Sequence, residues 1–324
     1  MMMRRECCLC LLLTNALVFI ILYMYIQPGT NLPAFHEDST NFYFKMKKIQ
    51  NGVDGSEKTE NYPGRCEDDL ELLILVPSSL WNFRHREAIR KTWGNKDSSD
   101  AETRLLFFTG TSLSNETFQQ MFKDEQGQFQ DIVKVNITES YDNLTKKSIA
   151  LLKWAHLNCP GVRYVLKSDD DMFINIQNLV NVLRKTKPKN AILGVKNSHS
   201  VPFRDKGSKW YVSREQYPKD KYPIYISGTA YVITGDIITS LYNSTLYVPS
   251  LFIEDVYLNG ICRERIGAEA IHLSGFDPAR NRGKINGRFF EKRITGHHFS
   301  PRDIILMWDE LQTVLKSPRS VNNN

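Results

Sequence analysis

From Leu70 onward the chain alternates short apolar runs with amphipathic stretches: Leu70 to Val76 (LELLILV), Arg84 to Trp93, then Arg104 to Thr109 (RLLFFT). That period predicts strand, helix, strand. The pattern continues with a helix near Thr117 to Phe122, a strand over Ile132 to Val135, a long helix from about Leu144 to Leu157, and a strand over Tyr164 to Lys167. Such alternation implies a mostly parallel sheet with helices on both faces. In open sheets of that kind ligands sit beyond the carboxyl ends of the strands.

Upstream the pattern changes twice. Cys7 to Ile26 carries no charge, and roughly twenty apolar residues is the length that crosses a bilayer as one helix. The run exceeds the ~7–15 residues of a signal-peptide core and no A-x-A-like site follows, which favours an uncleaved anchor. Arg4 and Arg5 precede it and neutral residues follow, so the basic flank stays cytoplasmic and the bulk of the chain faces the lumen. The expected organisation is a cytoplasmic tail (1–6), a transmembrane signal anchor (7–26), a polar stem (27–65), a lumenal catalytic domain (66–318) and a disordered tail (319–324). Four N-x-[ST] sequons, at Asn115, Asn136, Asn143 and Asn243, agree with a lumenal domain. Asn143 could equally cap the helix that begins after it.

The 324 residues, 41% hydrophobic and 24% charged, suffice for one sizeable core and exclude collagenous, disordered and polytopic classes. The net charge of +6 is spread among acidic residues, which argues against nucleic acid. A mild basic bias suits an anionic nucleotide-sugar, and equally an ordinary solvated surface. Cys7, Cys8 and Cys10 fall in the anchor, leaving Cys66, Cys159 and Cys262, which cannot all pair internally. The expected pair is Cys66 with Cys159, with Cys262 a small buried hydrophobe.

Candidate chemistry begins at Ser168-Asp169-Asp170-Asp171-Met172, just past a predicted strand. Three adjacent carboxylates repel unless a cation is present, and a hard divalent ion with oxygen ligands relieves the repulsion; the alternative is a solvated acidic turn or helix cap. Asp169 and Asp171 can point the same way from an extended segment, one towards a metal and the other towards a sugar or ribose. A second acidic pair, Glu254-Asp255, opens a helix running towards Ile266, where a general base is plausible beside simple capping. Arg86 and Arg90, one helical turn apart, suit a diphosphate, or else are salt-bridged surface arginines. Trp93 suits a core. Gly296-His297-His298, after a strand-like Arg293-Ile-Thr295, offers imidazole to a metal such as manganese.

These segments together resemble the β-1,3-galactosyltransferase family, which includes β-1,3-N-acetylglucosaminyl and β-1,3-N-acetylgalactosaminyl transferases. The resemblance spans about Leu70 to Trp308. It rests on Arg86-Glu-Ala-Ile-Arg90-Lys-Thr-Trp93-Gly94, Ser140-Tyr-Asp-Asn-Leu-Thr-Lys-Lys147, Lys167-Ser-Asp-Asp-Asp171-Met-Phe-Ile-Asn175, Lys209-Trp-Tyr-Val-Ser213 with Tyr217-Pro218 and Tyr222-Pro223, Ser227-Gly228-Thr-Ala-Tyr231, and Glu254-Asp-Val-Tyr257. It implies an α/β, GT-A-type Rossmann-like nucleotide-sugar fold with a mixed, mostly parallel central sheet, preceded by the single transmembrane helix and held in the Golgi membrane as a type II protein.

By the same resemblance, Asp171 is the main ligand to Mn2+, with Asp169 and His297 as further ligands. Arg86, Arg90, Lys147, Asp169 and Asp170 bind the UDP-hexose donor, and Trp210, Tyr211 and Gly228 border the sugar sites, though core packing explains the aromatics nearly as well. Asp255 is the base, with Glu254 close by, deprotonating an acceptor 3-hydroxyl as it attacks C1 of the donor, so that configuration inverts to β. The partners implied are UDP-hexose, an acceptor glycan and the Golgi membrane. Two positions depart from the family pattern: Ile226 stands where a cysteine often precedes Ser-Gly, so no family disulfide is carried over, and Leu258-Asn-Gly260 makes the run after Tyr257 one residue longer than in many members. Galactose is the favoured donor sugar because Ser168 resembles the small hydroxyl residue of galactosyl members. A two-metal phosphoesterase and a noncatalytic lumenal sugar-binding protein are the competing classes; the first would need more His or Asp ligands than the sequence offers.

Overall fold

The computed structural model describes residues 64–68, 70–112, 116–277 and 286–316. The cytoplasmic tail, the anchor at 7–26, nearly all of the stem, the sequon at Asn115 and the tail at 319–324 lie outside them. Among the described residues no helix is long and apolar enough to cross a membrane.

All six residues of strand β1 (Leu72–Pro77) are buried, as a strand covered on both faces requires. Alternate side chains feed two cores: Leu73 and Leu75 join one, and Leu72, Ile74 and Val76 the other. β1 lies between β2 (Thr103–Thr111) and β4 (Tyr164–Ser168), parallel to both, and β3 (Ile132–Thr138) pairs parallel to β2. Beyond β4 the sheet continues through β7 (Tyr225–Thr234), β6 (Ala191–Asn197) and β8 (Glu269–His272) in the order β3-β2-β1-β4-β7-β6-β8. Only β7 runs against the others. It follows β6 through residues 198–224 with no crossover helix, which an antiparallel neighbour does not need.

The first core is covered by α3 (Leu144–Asn158) and α5 (Ile238–Thr245), and the second by α1 (Phe83–Lys91), α4 (Ile176–Thr186) and α6 (Pro301–Lys316), with Phe122 of α2 (Glu116–Phe129) also in it. Trp93 is fully buried there and donates from Nε1 to the Met172 carbonyl at 3.0 Å. A small second sheet pairs β5 (Met172–Ile174) antiparallel with β9 (Thr295–His297), Met172 opposite His297. The strand expected over Arg293 to Thr295 therefore begins at Thr295 and reaches His297.

The helix expected after Glu254-Asp255 is a π-helix over Val256–Cys262 that continues into Arg263–Arg265. A π turn holds an additional residue, which accommodates the longer Leu258-Asn-Gly260 run. Gly260 is required by a close approach: a Cβ there would stand 3.1 Å from Pro223 Cγ and Tyr225 Cβ.

Cys66 and Cys159 form a disulfide tying the segment before β1 to the end of α3, and Cys262 is free and buried. The bond spans 93 residues of sequence. Replacing both cysteines by alanine is expected to lower stability by about 2–4 kcal/mol, read as a fall in the urea midpoint under non-reducing conditions.

Candidate active site

At the end of β4 three consecutive carboxylates escape mutual repulsion by taking different partners. Asp169 accepts from the Lys167 ammonium, which also donates to the Gly228 carbonyl at 2.6 Å. Asp170 turns towards the end of β1, accepting from Ser78 Oγ at 2.7 Å and Asn82 Nδ2 at 2.8 Å. Asp171 faces β9, with His297 Nε2 3.3 Å from Oδ1 and His298 Nδ1 3.4 Å from Oδ2. Burial pushes Asp169 up to about 6 against the opposing charge of Lys167. Burial acts upward on Asp171 too, but the hydrogen bond and charge of His297, with His298, outweigh it and hold the group below its ordinary value.

Asp171, His297 and His298 offer ligand atoms that all lie within 4.8 Å of one another. Neighbours on a strand normally point to opposite faces. His298 escapes that rule with φ at 68°, a left-handed region that few non-glycine residues occupy, histidine more readily than most. The turn stacks its ring on His297, centroids 4.2 Å apart, and brings both imidazoles to one carboxylate. The carboxylate–imidazole separations approach the roughly 3 Å between adjacent ligands of a six-coordinate divalent ion. One carboxylate with two imidazoles suits such an ion. Asp171, His297 and His298 therefore fit a metal, and Asp169, expected as a further ligand, is not part of this group of three. Only the doubled histidine hinted at His298.

The reversed β7 explains how the second acidic pair reaches this site. Its register puts Ala230 opposite Ser168, so the start of β7 carries Gly228 past the carboxyl edge of β4. There the Gly228 N–H donates to Asp255 Oδ2 at 3.0 Å and the Val256 N–H to Oδ1 at 2.9 Å. Tyr231 donates its hydroxyl to Glu254 Oε1 at 2.7 Å. A Cβ on Gly228 would lie 3.1 Å from Glu254 Oε2 and 3.2 Å from Asp255 Cβ, so a side chain there would crowd the pair. Burial, then the charge of Glu254, pushes Asp255 up to about 6. A carboxylate fixed in direction with that affinity can take a proton near neutral pH.

Arg86 and Arg90 share a face, as their spacing predicts, but acids of this chain fill it. Arg86 is fully buried, and all five of its N–H groups are used on Glu125, Ser78 Oγ and the carbonyls of Ser79 and Leu80. Arg90 binds Asp131 through Nε and Nη2 and Glu125 through Nη1. Every Arg86 N–H is thus committed within the chain, and the side chain reaches Asp170 through Ser78. Lys147 Nζ lies 2.7 Å from Glu139 and 3.3 Å from the Ser78 carbonyl, beside the same turn.

Trp210 donates from Nε1 to the Tyr141 hydroxyl at 3.1 Å, and Lys209 lies 4.5 Å over the Trp210 ring. Both aromatics are exposed. Although more than half of Tyr141 is exposed, partial desolvation of its phenol pushes it up against the Trp210 hydrogen bond, with Asp255, Asp169 and Glu254 adding to the rise; this aromatic shelf borders the acids. Tyr211 is half-buried and bridges to Phe203. Tyr141, Lys167 and Tyr231 were not singled out from sequence, although each lies inside a segment that carries the family resemblance. Asn136 and Asn243 are exposed. Asn143 precedes α3 without a side-chain capping bond and gives its amide to Thr138 O at 3.0 Å, while the hydroxyl of its sequon partner Thr145 is buried against the carbonyls of Leu251 and Phe252.

A family model described as Galactosyltransferase matches residues 84–274. The chain belongs to the galactosyltransferase family. It is 32% identical to "Beta-1,3-galactosyltransferase 1" of Mus musculus over 257 residues, covering 78% of each chain. It is 35% identical to "Beta-1,3-galactosyltransferase 5" of Mus musculus over 246 residues, 74% of this chain and 79% of the other. "Beta-1,3-galactosyltransferase 2" of Homo sapiens is 32% identical over 259 residues, 78% of this chain and 61% of its own. A 4-diphosphocytidyl-2C-methyl-D-erythritol synthase from Anaerococcus prevotii superposes with a TM-score of 0.39 at 15% identity over 76% of this chain and 97% of the other, too slight a likeness to weigh. Membership makes the protein a glycosyltransferase, and the matched stretch holds every acid of the site, while Ser78, Asn82, His297 and His298 lie outside it.

Arg86→Met should leave Glu125 short of its buried cation and lower unfolding free energy by about 3–5 kcal/mol, measured by urea titration. A raised donor KM at unchanged stability would instead place Arg86 in the donor site.

Proposed function

We propose that this galactosyltransferase-family protein moves galactose from a UDP-sugar to the 3-hydroxyl of an acceptor sugar, forming a β-1,3 linkage with inversion. What carries the reading is one strand end at which Asp255 is aimed by two backbone N–H groups, Asp171, His297 and His298 converge on one another, and Asp169 feels the charges of both Asp171 and Glu254. The family match and the names of the relatives supply the sugar and the linkage. We place the protein in the Golgi membrane as a type II, GT-A-like enzyme, with the anchor at 7–26, the stem at 27–65, the catalytic domain at 66–318, and glycans at the exposed Asn136 and Asn243.

Asp255 takes the proton from the acceptor hydroxyl as that oxygen attacks C1 of the donor from the face opposite the diphosphate. Its raised proton affinity suits the task, since a weaker base would gain less from the transfer. The aromatic shelf of Tyr141 and Trp210 offers a flat apolar face to a pyranose. Asp171, His297 and His298 would hold a divalent cation, for which manganese is our choice, and such an ion neutralises charge gathering on a departing diphosphate.

Full-length protein in detergent should transfer from UDP-galactose in preference to UDP-N-acetylglucosamine and UDP-N-acetylgalactosamine, with linkage analysis reporting β-1,3. Asp171→Ala should abolish manganese-dependent UDP binding in calorimetry; unchanged binding would remove the metal assignment. Asp255→Asn should cut kcat by about 10²–10⁴-fold while UDP binding persists.

A base is competent only when deprotonated. The pH–rate profile should therefore rise with pH through about 6, following the raised Asp255, and level off above it. A flat profile between pH 5 and 7 would exclude Asp255 as the group controlling the rate.

A further inference from the structure

Lys167 is a lysine in the interior, its side chain 4% exposed. Burying an ammonium costs several kcal/mol unless it is paired and hydrogen-bonded. Nothing in the pairing of β4 with β7 needs that charge, because the backbone ladder from Tyr164 to Ser168 is formed without it. An apolar side chain would fill the same volume at lower cost. The charge must therefore answer to its neighbours.

Those neighbours are acidic. The ammonium binds Asp169 on the donor side and the Gly228 carbonyl on the other. Gly228 passes the restraint on, since its own N–H holds Asp255 Oδ2. Tyr231, opposite Lys167 in the β4–β7 register, lies with its ring centroid 5.6 Å from the ammonium and gives its hydroxyl to Glu254. Lys167 thus touches, directly or through one residue, all three carboxylates Asp169, Glu254 and Asp255.

We propose that Lys167 is the positioning residue of the base, its ammonium fixing Gly228 so that the Gly228 N–H aims Asp255. The inference rests on Asp255 serving as the base. Among the described residues, the groups that face Asp255 are Glu254 next to it, the phenols of Tyr141, Tyr222, Tyr225 and Tyr231, and the Lys167 ammonium. Phenols are neutral where a carboxylate titrates, so among these side chains Lys167 is the charge that opposes Glu254, adding to the larger effect of the Val256 and Gly228 N–H groups.

The test compares wild type, Lys167→Met and Lys167→Arg as full-length proteins. In Lys167→Met the midpoint of the pH–rate profile should move up, since loss of an opposite charge favours the protonated carboxyl. Its kcat at the plateau should fall by about tenfold or more, with acceptor KM within about twofold, because a misaimed base costs turnover rather than binding. Lys167→Arg, which keeps the charge, should restore the midpoint. A Lys167→Met profile and kcat matching wild type would overturn the proposal. Lys167→Gln, uncharged but able to donate to Gly228 O, should show the same midpoint shift if Lys167→Met does not fold, and a wild-type midpoint there counts against it equally. A carbon-13 titration of the Asp255 carboxyl needs no acceptor. An upward shift there in a protein that transfers from no UDP-sugar would leave the Lys167–Asp255 coupling standing and remove the base reading, whereas transfer by wild type with no shift in the variant would remove the coupling alone.

Discussion

The constraint on which the site depends is the placing of several carboxylates in a space that water only partly reaches. Asp169, Asp170, Asp171, Glu254 and Asp255 gather at the carboxyl edge of β4 and the start of β7, where like charges at close range repel by amounts comparable with the whole stability of a domain. The fold disperses that repulsion with different devices. A buried ammonium meets Asp169, neutral hydrogen-bond donors meet Asp170, two imidazoles meet Asp171, a phenol meets Glu254 and two backbone N–H groups meet Asp255. Burial first, and then the remaining repulsion, leaves raised proton affinity at Asp169 and Asp255, a condition useful to an acid–base catalyst.

Each device relies on a feature of the sheet. Parallel β1 and β4 end at the same edge, so the Ser78–Asn82 turn meets Asp170. The reversed β7 starts at that edge, so Gly228 meets Asp255. The β5–β9 ladder continues directly from Asp171, so distant histidines become its neighbours. Further out, Arg86 holds the Ser78–Leu80 turn and Glu125 together.

Much of this was legible in the sequence. The apolar runs from Leu70 to Lys167 predicted the parallel half of the sheet because a strand buried on both faces is continuously apolar. The acidic triplet at a strand end and the Glu254-Asp255 pair stood out because unpaired charge beside apolar runs is costly. Cys66 with Cys159 was expected and is observed. For Arg86 and Arg90 the sequence left a diphosphate and salt-bridged arginines both open, because i, i+4 spacing places two guanidiniums on one face without saying what lies across from it; here Glu125 and Asp131 do. The sequence offered the His297-His298 pair but not that both reach one carboxylate, since strand alternation would part them and only the left-handed backbone of His298 reverses that.

The amino-acid order alone determined the local periods, the family and which side chains carry ionisable chemistry, since these follow from short-range pattern and side-chain identity. Which acids share a partner, which arginines are used up inside the chain, and which backbone N–H groups aim the base were decided by the tertiary structure. Those outcomes depend on contacts between residues far apart in the chain, such as Asp171 with His297 or Gly228 with Asp255. Distances of that kind exist only once the sheet has set the order and direction of its strands.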